Sequence, residues 1–249
     1  MLIGKDIARA VFSSLGVRVT RLRSNSNPPT IEPWREDEAM RRIIERASRY
    51  SLVTPERMFM LLQWLDFALT SEGEVAEFGV WRGGTASLMH AHLASKGCQR
   101  TLHLFDSFAG LPDADPVRDN HHRKGDLSDA SESAVRVLFA DAAGVAIHVG
   151  CFEETVGTVS AERFCFAHID ADLYRSVRFA TEFVFPRLSA GGVIVYDDYG
   201  FRTCAGAKAA VDEYFAATSV RPVYLTTGQC VAIKLQPRIE VQSRDSLVA

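Results

Sequence analysis

The chain has 249 residues, 47% of them hydrophobic and 24% charged, the balance of an ordinary soluble protein long enough to bury a substantial core. Its 28 basic and 31 acidic residues leave a net charge of −3, so there is no electrostatic footprint for nucleic acid. No apolar run reaches membrane-spanning length and the N-terminus lacks a signal-peptide pattern, which argues against an integral membrane segment. The five cysteines (Cys98, Cys151, Cys165, Cys204, Cys230) are scattered, odd in number and never in a metal-ligand spacing. That argues against a disulfide framework or a zinc site and suits a reducing, cytoplasmic setting.

Residues 1–23 interleave Ile3, Ile7, Val11, Phe12, Leu15 and Val19 with Lys5, Arg9, Arg18, Arg21 and Arg23. The pattern reads as a short amphipathic helix and a basic strip. Its narrow apolar face favours packing on the body or on a partner subunit over a membrane surface. A polar, proline-bearing linker follows over residues 24–33. Residues 36–49 carry Met40, Ile43, Ile44 and Ala47 at helical spacing, and Thr54-Pro55-Glu56 signals a second helix through Met58, Leu61, Leu62 and Leu65. Two helices ahead of the first strand are placed to cap one side of a sheet and to cover a substrate.

From residue 74 strands and helices alternate. Strand 74–80, helix 85–95 and strand 100–105 come first, then a long loop over 106–126 rich in Asp, Pro and His. Helix 131–140, strand 145–149, strand 164–169, helix 173–188, strand 192–196 and helix 204–217 follow. Two short strands, 221–225 and 231–235, close a hairpin around Thr227-Gly228. The alternation predicts a doubly wound, Rossmann-like α/β sheet with an antiparallel C-terminal edge strand and an N-terminal helical cap. The expected division is a helical cap over 1–70, one α/β domain over 71–238 and a frayed polar tail over 239–249.

The chemistry concentrates in residues 163–200. One apolar run, Phe164-Cys165-Phe166-Ala167-His168-Ile169, ends on Asp170 and Asp172; a second, Gly192-Val193-Ile194-Val195-Tyr196, ends on Asp197 and Asp198. Strands joined by one helix run parallel and commonly lie side by side, which brings both acid pairs to the carboxyl edge, where open α/β sheets bind ligands. Four acids crowded there repel one another unless a cation holds them, so the reading is a hard divalent ion with oxygen ligands, Mg²⁺. Capping of the next helix by Asp170 or Asp172, and a polar turn at Asp197-Asp198, are the plainer alternatives. Two pairs at one edge tip the balance toward metal. His168 reads as a satisfied core histidine, and His121-His122-Arg123 as a solvated stretch of the long loop.

A second constellation follows the first strand: Glu77-Phe78-Gly79-Val80-Trp81-Arg82-Gly83-Gly84-Thr85. Glycines between a strand and a helix let a ligand approach the backbone, and the helix N-terminus offers free N–H groups. Trp81 stands where the dinucleotide fingerprint has its second glycine, so the turn suits a smaller anionic end such as an amino-acid carboxylate. Strand-on-helix packing accounts for such glycines as well. Asp106, ending the second strand, either accepts both hydroxyls of a ribose or simply opens the loop. In Gly150-Cys151-Phe152-Glu153, after the third strand, Phe152 either packs against an adenine or belongs to the core. Amino acid, ribose and base in one pocket describe S-adenosylmethionine.

EFGVWRGGTA, LFDSFAGLP, HIDADLY and VIVYDDY, in that order, resemble the macrocin O-methyltransferase (TylF-type) family of metal-dependent sugar O-methyltransferases. The resemblance covers roughly residues 50–214. It implies a class I S-adenosylmethionine methyltransferase fold, with Asp170, Asp197 and Asp198 as ligands to Mg²⁺ and Asp172 as general base. It also puts Thr85 on the methionine carboxylate with Glu77 and Gly79 beside it, Asp106 on the ribose, and Phe152 with Glu153 at the adenine. The acceptor it implies is a sugar hydroxyl on a small molecule or an oligosaccharide, and a homo-oligomer is expected. Two readings compete. Asp170-Ala171-Asp172 is a D-x-D, as in metal-dependent glycosyltransferases, and the fold also serves non-catalytic cofactor binding. The glycine turn, Asp106 and the second acid pair favour the methyltransferase, and paired acids without a task carry an electrostatic cost.

Overall fold

The computed structural model describes residues 31–235 other than 160 and 162; the helix expected over 1–23, most of the linker and the polar tail lie outside the described residues. A short helix α1 (Pro33–Glu36), at the end of the expected linker, is separated from helix α2 (Glu38–Ala47), which takes up the helix expected over 36–49. The cause is Asp37, whose backbone is extended and whose Oδ1 accepts the Met40 N–H at 2.8 Å as an N-cap. Helix α3 (Pro55–Ala68) begins with Pro55 in its first turn, as the sequence signals, but the Thr54 side chain makes no capping bond. Met58, Leu61, Leu62, Leu65 and Ala68 recur at helical spacing and are fully buried, which fixes the face of α3 turned to the sheet. These helices belong to the same compact unit as the sheet, which begins at Pro33.

The alternating part contributes β1 (Glu74–Phe78), α4 (Gly84–Ser95), β2 (Leu102–Asp106), α5 (Glu132–Leu138), β3 (Val145–Val149), α6 (Phe152–Thr155), β4 (Phe164–Ile169), α7 (Tyr174–Arg187), β5 (Leu188–Tyr196), α8 (Ala205–Ala216), β6 (Val223–Tyr224) and β7 (Cys230–Ile233). The sheet order is β3-β2-β1-β4-β5-β7-β6. β1 to β5 are mutually parallel, and β7 runs antiparallel between β5 and the short edge strand β6. The doubly wound sheet and the C-terminal hairpin are therefore as the pattern required. β5 starts earlier than expected: Ser189-Ala190-Gly191 belongs to the strand, whose register against β4 shifts between the Leu188–Phe164 and Val193–Phe166 pairs.

Alternation along the strands fills two cores, one on each face. Val75, Leu102, Leu104, Phe166, Val193, Val195 and Val231 face α2, α3 and α4, while Ala76, Phe78, Ala167, Ile194, Tyr196 and Ala232 face α7 and α8. β1 lies between β2 and β4, so the chain leaves it in opposite directions on its two sides. That is the topological switch point, where the crevice opens at the carboxyl ends of the strands.

At this point the backbones of β1 and β4 nearly touch. A Cβ on Gly79, which has φ +89°, would lie 1.8 Å from the Asp170 carbonyl oxygen. Only glycine fits. Gly79→Ala is expected to lower stability by at least about 2 kcal/mol, from left-handed strain plus overlap with backbone, read as a fall in melting temperature; an unchanged value would contradict this packing.

Candidate active site

Main-chain bonds carry the acids to one rim. Asp170 N–H donates to Phe78 O at 2.9 Å and Asp197 N–H to Ile169 O at 3.0 Å, each prolonging a parallel ladder by one rung. Asp170, Asp197 and Asp198 consequently present carboxylate oxygens that all lie within 4.8 Å of one another. Asp172 sits at φ +54°, a left-handed turn that few non-glycine residues adopt, and its N–H donates to Asp198 Oδ2 at 2.9 Å. None of these acids caps α7; Asp119 of the long loop does so, its Oδ1 accepting from Tyr174 N–H at 3.0 Å. The plainer capping alternative fails on that geometry.

The protein compensates the acids unequally. Asp197 is bound by the Arg57 guanidinium and by Gln229 Nε2, which donates to Oδ1 at 2.9 Å. His168 Nε2 faces the same Oδ1 at 3.7 Å, while its Nδ1 bonds Glu77 Oε1 at 2.9 Å. Burial pushes Asp197 upward, but His168, Arg57 and Gln229 outweigh it and hold the group below the ordinary carboxylate range. Burial opposes the charge on His168 too, yet Asp197 and Glu77 lift it to about 10. Among the described residues no ion pair reaches Asp170 or Asp198, and His168 and Arg57 only restrain Asp170 without bonding to it. Burial, then the charge of Asp197, drives Asp170 well above its usual value; burial, then Asp172 and Asp170, does so for Asp198.

The rim borders a cavity of about 520 Å³ to which all five parallel strands contribute: Gly79, Asp106, Gly150, Asp170 and Asp197 follow or end β1 to β5 in turn. Thr85, in the first turn of α4, lines it and is 3% exposed. Gly84 beside it serves packing, since a Cβ there would meet Ala47 O at 2.7 Å. Asp106 is pinned from three sides: Oδ2 accepts from Val80 and Trp81 N–H at 2.7 and 2.8 Å, and Oδ1 from Phe108 N–H at 2.7 Å. Phe152 packs edge-on to Phe78 at 5.2 Å and also lines the cavity, as does the exposed Glu153. Glu77 does not line the cavity: it is fully buried in β1 against His168, because its position pairs with His168 across the β1–β4 ladder. The connection between α2 and α3 closes another wall with Tyr50, Ser51, Leu52 and Val53.

Four site residues escape sequence reasoning. Arg57 and Gln229 reach Asp197 from 140 and 32 positions away. His122 does not lie in solvated loop: its side chain is 19% exposed and its Nε2 lies 3.4 Å from Asp172 Oδ1. Cys204 Sγ donates to the same oxygen at 3.5 Å. Burial lifts Asp172 above its usual range, with His122 and Cys204 restraining the rise.

The strand order and the crevice at the switch point, with an acid-rich rim beside a glycine turn, define a class I S-adenosylmethionine-dependent methyltransferase. The macrocin-O-methyltransferase (TylF) family model matches residues 22–232, and the chain belongs to that family. Demethyldecarbamoylnovobiocin O-methyltransferase of Streptomyces niveus is 29% identical over 193 residues, covering 72% of this chain and 73% of that protein. The 8-demethyl-8-(2,3-dimethoxy-alpha-L-rhamnosyl)-tetracenomycin-C 4'-O-methyltransferase of Streptomyces olivaceus is 33% identical over 147 residues, 54% of this chain and 56% of its own. The solved O-methyltransferase NovP superposes with a TM-score of 0.66 at 26% identity, covering 75% of this chain and 83% of that one. The glycosyltransferase alternative is left without support.

A pH dependence follows from the uncompensated acids. The metal-free native state keeps protons on Asp170 and Asp198 that the unfolded chain has released, so these groups cost stability as pH rises above the unfolded carboxylate value. Between about pH 4.5 and 6.5, where His168 is still protonated in both states, metal-free Asp170→Asn is expected to gain on wild type in melting temperature as pH rises. A variant that loses ground over that window would contradict the assignment.

Proposed function

We propose that the protein moves the methyl group of S-adenosylmethionine to a hydroxyl of a sugar, carried on a glycoside, a glycan or a natural product, with Mg²⁺ held by Asp170, Asp197 and Asp198. The observation that carries the reading is the meeting of those three carboxylates at the rim of a cavity walled by Gly79, Thr85 and Asp106. The donor set fits a hard divalent ion, since it offers only oxygen, and two of its members are pushed toward protonation by burial and by mutual repulsion that a cation would relieve. The sugar acceptor is supported by the relatives' names, one of which specifies a rhamnosyl group. A cytoplasmic setting accords with five unpaired thiols.

The chemistry the ion supplies when bound is Lewis-acid polarisation of an acceptor hydroxyl, which lowers its pKa and fixes its direction. Asp172 would remove the hydroxyl proton; burial makes it a stronger base than an exposed aspartate, and it lines the same cavity as Asp198. Asp197 is kept ionised by Arg57, Gln229 and His168, and so keeps its charge for the ion across neutral pH. On the donor side, Asp106, held in place by its three backbone donors, has about one lone pair left, on Oδ1, for a ribose hydroxyl. The first turn of α4 at Thr85 offers N–H groups to the methionine carboxylate. Phe152 and Glu153 stand where the adenine would lie. Much of the rate would come from holding oxygen, methyl carbon and sulfur in line.

Asp172→Asn is expected to bind S-adenosylhomocysteine and Mg²⁺ normally in calorimetry while its turnover falls by about 10²–10⁴; normal turnover would remove Asp172 from the role of base. Screening glycoside acceptors with labelled cofactor, with Mg²⁺ and with EDTA, is expected to give methylated sugar only in the presence of the metal. Transfer that survives exhaustive chelation would contradict the proposal.

A further inference from the structure

Next to the acid rim lies a second cluster of different chemistry. His122 Nε2, Asp172 Oδ1 and Cys204 Sγ form a triangle with sides of 3.4, 3.5 and 3.6 Å. Zinc–ligand bonds of about 2.3 Å to sulfur and 2.0–2.2 Å to nitrogen and oxygen imply ligand separations of roughly 3.3–3.6 Å at tetrahedral angles. The three atoms are thus already spaced as three corners of such a site. All three residues line the cavity, which leaves the fourth corner open. The other ring nitrogen of His122, Nδ1, lies 3.8 Å from Asp126 Oδ2, beyond hydrogen-bond length but on the side from which an outer carboxylate orients a metal-binding histidine. Asp172 and Cys204 come from separate elements and His122 from the long loop, so no ligand spacing appears in the sequence.

We propose that His122, Asp172 and Cys204 form a second cation site, selective for a borderline ion such as Zn²⁺, and that its occupation inhibits methyl transfer by taking the carboxylate of Asp172. Sulfur and imidazole donors select this class of ion over Mg²⁺, which belongs with the all-oxygen rim. Without a cation, burial and the Asp198 carboxylate hold the Cys204 thiol in its protonated form, pushed far above the ordinary thiol value. The entering ion replaces that proton, which leaves to solvent, and His122 binds as the neutral imidazole. The inhibitory half rests on Asp172 as the base; the binding half does not.

The test titrates the full chain, in saturating Mg²⁺, with Co²⁺ as a spectroscopic stand-in for Zn²⁺. One equivalent is expected to give a sulfur-to-cobalt charge-transfer band and the intense visible bands of four-coordinate cobalt, both displaced by Zn²⁺. Cys204→Ala and the near-isosteric Cys204→Ser are expected to lose the charge-transfer band. In His122→Gln, affinity is expected to weaken at least about tenfold, the size of loss that even outer-shell changes produce. Zn²⁺ should inhibit wild type, and inhibit Cys204→Ala at least about tenfold more weakly, relative to that variant's own zinc-free rate. No charge-transfer band in wild type, or the same band in Cys204→Ala, overturns the site. A band that depends on Cys204, with full methyl transfer by the loaded protein, upholds the site and overturns the role of Asp172 as base.

Discussion

Repulsion among carboxylates gathered at one edge of a parallel sheet governs this molecule. Asp170 and Asp197 are fastened by the last rungs of the β1–β4 and β4–β5 ladders, through Phe78 O and Ile169 O. They cannot swing apart without breaking main-chain bonds. The fold then answers the charge selectively. Asp197 receives Arg57, Gln229 and, through the buried Glu77–His168 pair, a cationic imidazole. Among the described residues Asp170 and Asp198 receive no ion pair, and burial together with the neighbouring acids pushes both toward protonation. A rim of this kind costs stability in order to hold charge where chemistry uses it, the trade expected at functional sites.

The cavity is lined in two different ways. On the donor side the walls are backbone and pinned groups: Gly79 against Asp170, and Asp106 gripped by the N–H groups of Val80, Trp81 and Phe108. The α2–α3 connection and the long loop add the side chains of Tyr50, Leu52, Leu111 and Leu127 to the lining. Walls of backbone and pinned groups suit a cofactor shared across a fold. Side chains on connecting segments suit an acceptor that differs from one relative to the next.

Most of the fold was legible because buried parallel strands are short apolar runs and their helices have one apolar stripe. β3 and β4 matched the expected bounds, while β5 began early because Leu188-Ser189-Ala190-Gly191 pairs through a shifted register that composition does not encode. The acids were legible for a similar reason, since a strand end followed by a carboxylate is local information. Arg57, His122, Cys204 and Gln229 were not, because each meets its partner only after the chain has folded back. His168 shows the boundary between the two cases: burial in β4 was readable, but its contact with Asp197 depends on β5 lying alongside. Glu77, read as standing near the methionine carboxylate, is buried in β1 against His168, a contact that depends on β4 lying alongside.

The central claim is that Asp170, Asp197 and Asp198 together hold one divalent cation. Anomalous diffraction from crystals grown with Mn²⁺ and S-adenosylhomocysteine tests it directly, since manganese takes the same oxygen donors as magnesium and is visible by its own scattering. The account predicts a single strong peak bonded to oxygens of all three carboxylates, beside the sulfur of the cofactor. A peak elsewhere, or none at that rim at saturating manganese, would contradict it.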